Sequence, residues 1–263
     1  MWRKSLSTAL LALLACPVWA AAPERIVVMT ADVADVVVAL GAAPTVIGRD
    51  RSSQHPALAS AAVIGFNRSL SVEPITRLKP QLVLGSSLAQ PATIWPQLQK
   101  LGIPAQQVSQ HEDGRDFANS IREIGRLLEQ SARAEQLAQQ WQQGMTAKTA
   151  TGVRYLFTYD GSLVAGKNTA ADTLIRAAGG INIAEHDGFK PLSREAWRSL
   201  KPDVIVVADH NRAITGGRAG LLARPEIALT PAGQKGRVYE LPAGEMFRID
   251  LDSPKAVSKL GQL

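Results

Sequence analysis

The sequence predicts an α/β fold: two Rossmann-like lobes with mostly parallel sheets, joined by a long connecting helix. Short apolar runs of strand length alternate with helical stretches through most of the chain, which is the pattern of parallel strands with covering helices. One stretch near the middle replaces the alternation with a longer helical period, and one fifteen-residue unit occurs on both sides of it.

Arg25 to Met29 is the first strand, apolar after its first residue and suited to burial on both faces. Asp32 to Leu40 follows as a helix that stops at Gly41. Thr45 to Ile47, Val63-Ile64, Leu82 to Leu84 and Ala105 to Val108 are further short strands, with helical segments between most of them. From Phe117 to about Lys148, Ile121, Ile124, Leu127, Leu128, Leu137 and Trp141 recur at helical spacing among Arg, Glu and Gln. Ser131 suits the cap of a second segment, so one or two helices ending in a long connector are expected. Val153 to Thr158 opens a second strand-helix series, with strands at Val204 to Ala208 and Val238-Tyr239. The expected boundaries are 21–130 for the N-terminal lobe, 131–150 for the connecting helix and 151–263 for the C-terminal lobe.

The repeated unit supports two lobes. Leu70 to Leu84 aligns with Leu192 to Val206 at an offset of 122 residues, with six of fifteen positions identical. In each copy a serine (Ser71, Ser193) is placed to cap a short helix, and a glutamate (Glu73, Glu195) lies in its first turn. Lys-Pro then ends the helix before a buried strand.

Composition narrows the function classes. With 46% hydrophobic and 20% charged residues the 263-residue chain has the material for a packed core. No apolar run reaches the ~20 residues of a membrane-spanning helix. Aromatic residues are only 5% and basic residues never form a block, which argues against a single-stranded nucleic-acid surface. Residues 1–20 have the layout of a secretory signal peptide: basic Arg3-Lys4, an apolar stretch from Leu6 to Ala15, and Val18-Trp19-Ala20 for the peptidase. Cleavage after Ala20 removes two of the formal +6 charges and the only cysteine, Cys16. Lipid attachment at Cys16 is the alternative, disfavoured because Pro17 follows at once.

Several segments then point to one family. Arg25-Ile26-Val27, the helix end Ala39-Leu40-Gly41, both Leu-Lys-Pro units and Asn168-Thr169-Ala170-Ala171-Asp172 are among them. Ala178-Gly179-Gly180-Ile181-Asn182 and Leu229-Thr230-Pro231-Ala232-Gly233 complete the set. Together they resemble the periplasmic haem-binding proteins of bacterial haem ABC importers, within the helix-linked binding proteins that also serve siderophores and cobalamin. The resemblance runs from about Arg25 nearly to Leu263. It implies a monomeric periplasmic protein with a ligand cleft between its lobes. Haem would be the transported ligand, the permease–ATPase complex of the inner membrane the partner, and there would be no catalytic cofactor or covalent chemistry. An iron-siderophore or cobalamin carrier, or an accessory or sensor relative that does not coordinate haem, is the alternative. By the same resemblance Glu73 and Glu195 occupy the positions that dock onto arginines of the permease.

Where haem-binding relatives carry Gly-Tyr-x-Arg-x-Leu-Ser, this chain has Gly65-Phe66-Asn67-Arg68-Ser69-Leu70-Ser71. Arg68 is retained, but Phe66 has no oxygen for iron. Ligands of open α/β sheets bind beyond the carboxyl ends of the strands, so the cleft residues expected are Arg49, His55, Phe66, Asn67, Arg68, Tyr159, His210, Met246, Phe247 and Arg248. His55 and His210 are candidate iron ligands through neutral imidazole; Tyr159 could instead offer a phenolate, and His111 and His186 rank lower. Arg49, Arg51, Arg68 and Arg248 have the planar fork that suits carboxylates, and Phe66, Met246 and Phe247 suit the walls of a flat macrocycle.

Three other chemistries are weaker. Gly161 to Lys167 approximates a phosphate loop, yet Asn168 stands where the magnesium-binding Ser or Thr belongs. No Gly-x-Ser-x-Gly elbow marks a hydrolase, and no His-Glu-x-x-His marks a zinc site.

Overall fold

The computed structural model describes residues 22–263; the leader with its cleavage site and Cys16 lies outside the described residues. Five strands form a wholly parallel first sheet: β1 (Ile26–Val28), β2 (Val46–Arg49), β3 (Ala62–Val63), β4 (Leu82–Ser86) and β5 (Ala105–Ser109). Their order is β3-β2-β1-β4-β5. The chain moves outward from β1 on one side and returns to its other side with β4, so a crevice opens at their carboxyl ends.

The second sheet contains β6 (Arg154–Thr158), β7 (Leu163–Ala165), β8 (Ile181–Asn182), β9 (Phe189–Pro191), β10 (Val204–Ala208) and β11 (Val238–Leu241). Its order is β11-β10-β6-β7-β9, with β8 also paired to β6. β11, β10 and β6 are parallel, whereas β7 runs antiparallel to β6 and to β9. The reversal has a local cause. Asp160 accepts hydrogen bonds from the main-chain nitrogens of Ser162 (2.8 Å) and Leu163 (2.7 Å), and Gly161 takes φ +82°. That turn closes a hairpin where a crossover helix would otherwise start.

Side chains alternate across both sheets. Ile26 and Val28 face one way and Val27 and Met29 the other; Tyr155 and Phe157 oppose Leu156 in the same manner. Each sheet is therefore buried on both faces. The inward faces share one continuous core with Phe117, Trp141 and Ile249, so packed side chains link the sheets. Between them lie helices Phe117–Leu127 and Ser131–Gly144. They pack closely because Gly125 faces Ala134, where an added Cβ would come within 2.1 Å. Trp141 Nε1 donates to the Asp250 carbonyl (2.8 Å), and Thr173 Oγ1 donates to the Asp113 carbonyl (2.8 Å).

Both copies of the repeated unit form a short helix, Val72–Arg77 and Arg194–Leu200, followed by a buried strand. Lys79 and Lys201 take left-handed φ values of 48° and 49° at the two helix ends. The expected capping occurs once: Ser193 Oγ accepts from the Ala196 nitrogen (3.2 Å), whereas Ser71 makes no such bond.

Candidate ligand cleft

The crevice at the β1/β4 switch point is built from both halves of the molecule. Asp32, Ser86, Ser87, Leu88, Ser109 and His111 line one side, and Phe247, Arg248 and Ile249 the other, of a narrow crevice with about 10 Å³ of space that a water molecule can enter. Thr30 Oγ1 accepts from the nitrogen (3.1 Å) and hydroxyl (3.3 Å) of Ser86, which locks the two loops together. Asp32 Oδ1 and Ser87 Oγ are buried there without a protein partner. Burial pushes the Asp32 carboxyl above its ordinary range, against the hydrogen bonds from Thr30 and Ser86.

Aromatic side chains stand around this floor. Phe66 (38% exposed), Tyr159 (37%) and Phe189 (38%) are among the few large apolar side chains left open to solvent. Phe66 follows Gly65, whose φ of +129° favours glycine and turns the chain outward. Its loop is pinned at Asn67, which donates through Nδ2 to the Leu88 carbonyl (3.2 Å) and accepts at its own carbonyl from Gln90 (2.6 Å). The Arg51 guanidinium covers one face of the Phe66 ring at 5.1 Å. On the other side, the Tyr159 ring meets His210 at 4.6 Å and Phe247 at 5.6 Å, both edge-on, and Phe189 meets Phe247 at 5.8 Å. Leu88 and Phe247 both line the crevice, so Phe66 and Tyr159 flank it at one remove from opposite walls.

The structure corrects four cleft assignments. Met246 is fully buried in the shared core and offers no wall. Arg49 is engaged inside its own loop, donating to the carbonyls of Leu58 (3.0 Å) and Ser53 (3.0 Å). Asn67 is buried and holds the loop. His55 Nδ1 accepts from the Ala57 nitrogen (3.1 Å), and the residue lines a separate groove with Asp35, Leu251 and Asp252.

Arg248 does line the crevice, but its charge is already balanced. It donates to Asp250 (2.7 and 3.1 Å) and lies 3.8 Å from Asp35 on helix Ala31–Ala39. Burial raises the Asp35 carboxyl to about 6, although Arg248 opposes the shift. An incoming carboxylate would meet Asp32, Asp35 and Asp250 beside one guanidinium, which disfavours it. Arg68, by contrast, is exposed and has no ion pair or side-chain hydrogen bond among the described residues.

The acids around Arg248 and the wall residue Phe189 escape the sequence reading. Asp32 and Asp35 left a signal, two carboxylates on an otherwise apolar helix; Phe189 left none. Tyr155 is excluded from the cleft because its hydroxyl donates to the Leu260 carbonyl (2.8 Å) deep in the core. Gly161 to Lys167 contains strand β7, and the next helix starts at Ala170 under a Thr169 cap, so this is no phosphate loop. Glu73 and Glu195 are exposed on their helices. Hydrogen bonds from its own backbone nitrogen and the Ser193 hydroxyl hold the Glu195 carboxyl below the usual range.

Residues 26–244 match the family model described as periplasmic binding protein. The chain belongs to the periplasmic binding protein family. Among solved structures, this binding protein is similar to the periplasmic haem-binding protein RhuT from Roseiflexus sp. RS-1, with 32% identity over 91% of this chain and 97% of that one, and a TM-score of 0.80. The haem-binding protein BhuT, solved with two haems, shares 31% identity over 90% and 96%, with a TM-score of 0.82. A periplasmic haem-binding protein from Pseudomonas aeruginosa shares 29% over 91% and 91%, with a TM-score of 0.77. Comparison with curated protein sequences gives no match. Among the described residues of this binding protein, no helix is long and apolar enough to cross a membrane. No group of three or more His, Cys, Asp or Glu among them is arranged to hold a metal ion directly.

Proposed function

We propose that this periplasmic binding protein captures haem between its two sheets and delivers it to an inner-membrane ABC permease–ATPase complex, performing no covalent chemistry. The observation that carries this reading is a set of exposed rings next to the switch-point crevice: Phe66 on the loop tied to Leu88, and Tyr159 and Phe189 in contact with Phe247. Flat apolar rings favour a macrocycle through burial of apolar area at ~25 cal/mol per Å². Arg68, without an ion pair among the described residues, offers a cation for a propionate. His210, packed against Tyr159, supplies an imidazole for iron, which Phe66 has no atom to bind. The similar structures named above are haem-binding proteins along nearly their whole length.

In this reading the leader is removed after Ala20, and the mature monomer consists of lobes 21–130 and 151–263 around the connector 131–150. Glu73 and Glu195 present one carboxylate per lobe to the permease. The test is a titration of the purified mature protein with ferric haem, followed by absorption spectroscopy. A saturable Soret change without turnover is expected. Absence of that change, with uptake of a ferric siderophore or cobalamin instead, would overturn the haem assignment.

A further inference from the structure

We propose that the second lobe holds the permease through a groove that has no counterpart in the first copy of the repeated unit, with Glu226 receiving an arginine or lysine side chain of the permease there. This rests on the docking reading of Glu195. The groove holds about 600 Å³ between the helix Arg194–Leu200, the turn at Gly161 and Ser162, and the helices Gly217–Leu222 and Pro225–Ala228. Arg194 and Trp197, on either side of Glu195 along its helix, both line it. It shares no residue with the switch-point crevice.

Glu226 is the unsatisfied group in this groove. Its side chain is only 12% exposed, yet its carboxylate accepts no hydrogen bond among the described residues. Its one ion contact among them is Arg194 Nε at 3.9 Å, beyond hydrogen-bond length, and Arg194 itself is 84% exposed and solvated. A carboxylate withdrawn from water with its lone pairs unused is costly, and one guanidinium fills two of those positions at once. The groove's other cation is committed. Arg224 Nη1 donates to the Gly161 carbonyl (3.2 Å) and lies so close to that glycine that an added Cβ would come within 2.5 Å of it. Fixed walls therefore surround an unspent acceptor.

The repeat shows that this feature belongs to one lobe. At the offset of 122, Arg194, Glu195 and Trp197 correspond to Val72, Glu73 and Ile75. The glutamates match, but Ile75 is buried and Val72 packs against the same core cluster. The first lobe thus presents Glu73 beside apolar side chains turned to its core, and the second presents Glu195 beside a charged groove. A basic side chain on a surface already held by Glu195 enters that groove intramolecularly, whereas a free cation bears the whole cost of association. The permease is therefore the occupant that the position of Glu226 favours.

The experiment is haem uptake into membrane vesicles containing the partner importer, driven by haem-loaded wild type, Glu226→Gln, Arg194→Ala and Glu195→Lys, with haem titrations and melting curves on each. Glu226→Gln should bind haem as the wild type does and melt no lower. Its half-saturating concentration for uptake should rise about tenfold or more, as expected for loss of a hydrogen bond between charged groups. A second readout comes from Ala223, which is exposed on the groove. Cys16 is the chain's only cysteine, so Ala223→Cys is a unique reporter in the protein cut after Ala20. It should crosslink to the permease in the same vesicles, and an excess of wild type should prevent this. Wild-type uptake by Glu226→Gln, or no crosslink from Ala223→Cys, while Glu195→Lys impairs uptake, overturns the groove and leaves docking at Glu195 standing. Impaired uptake by Arg194→Ala with Glu226→Gln unaffected overturns it in favour of an acidic group of the permease. Wild-type uptake by the Glu73→Lys, Glu195→Lys double variant overturns the docking reading and the groove with it.

Discussion

Arg25 and Arg154 perform the same task in the two halves of the molecule. Arg25 immediately precedes β1, which pairs with β4, and its guanidinium donates to the carbonyls of Leu78 and, at 3.2 Å, Lys79. Arg154 begins β6 and donates to those of Leu200 (2.7 Å) and Lys201 (3.3 Å). Each cation satisfies the orphan carbonyls at the end of the short helix carrying Glu73 or Glu195, where the helix dipole favours positive charge. The main chain repeats the relation: Gln81 and Asp203 return hydrogen bonds to the carbonyls of Arg25 and Arg154, both at 2.8 Å. The sequence repeat is thus a repeat of a capped structural unit.

The first prediction follows. Arg25→Ala and Arg154→Ala should each lower stability by about 0.3–1 kcal/mol, the range for a cation at a helix C-terminus. Haem affinity should not change, because neither arginine lines the crevice. Urea denaturation with a parallel haem titration measures both, and a loss of haem binding in either variant would contradict the structural assignment.

Asp35 gives a pH-dependent prediction. It faces Arg248 and Asp250, with His55 and Asp32 nearby, and burial holds its carboxyl at about 6. An acid whose affinity for protons is raised by folding contributes stability at low pH and loses that contribution as pH rises. Here the loss spans from the ordinary carboxylate range near pH 4 up to about 6. Relative to the wild type, Asp35→Asn should therefore gain stability across that window, by on the order of 1–2 kcal/mol at pH 7 after allowance for partial exposure. The difference in melting temperature between the two proteins should grow from pH 4 to 6 and then stay level. A difference independent of pH would show that Arg248 fully compensates the buried charge.

How much of this was legible in the sequence depends on what decided each feature. Ile26-Val27-Val28 and Val204 to Ala208 announced buried parallel strands, because two-sided burial demands an unbroken apolar run. β7 and β9 did not, since strands of three residues carry little periodicity and their direction is set by the Asp160–Gly161 turn. Met246 and Phe247 are adjacent apolar residues past a strand end, yet one is wholly buried and the other meets three rings of the cluster. Only tertiary packing separates them. His55 and His111 pose the same problem: both lie in loops after strands, and the Ala57 hydrogen bond places one while the crevice exposes the other. Arg248 read as a free cation because its nearest acid in sequence, Asp250, gives no hint of Asp35 on a distant helix.

The docking assignment predicts a separation of functions. Glu73 and Glu195 are exposed, and neither lines the crevice. Glu73→Lys and Glu195→Lys should bind haem and melt like the wild type but impair uptake through the partner importer, because the permease must hold both lobes at once. If the carboxylates serve only their helix dipoles, Glu→Ala should slightly lower the melting temperature and leave transport intact. Wild-type uptake by the double Lys variant would refute docking through these residues.

Phe66→Tyr tests the cleft from the opposite wall. Phe66 projects from a loop fixed by Gly65, Asn67 and Gln90, so a hydroxyl added to its ring enters a preorganised position. Its exposure of 38% leaves room for that oxygen, and the Arg51 guanidinium at 5.1 Å favours an anionic phenolate. Ferric iron accepts a phenolate readily. The variant should therefore show a tyrosinate-to-iron charge-transfer band absent from the wild type, and it should bind haem more tightly. Unchanged spectra would mean that the iron lies out of reach of residue 66, and that haem is seated toward Tyr159 and His210.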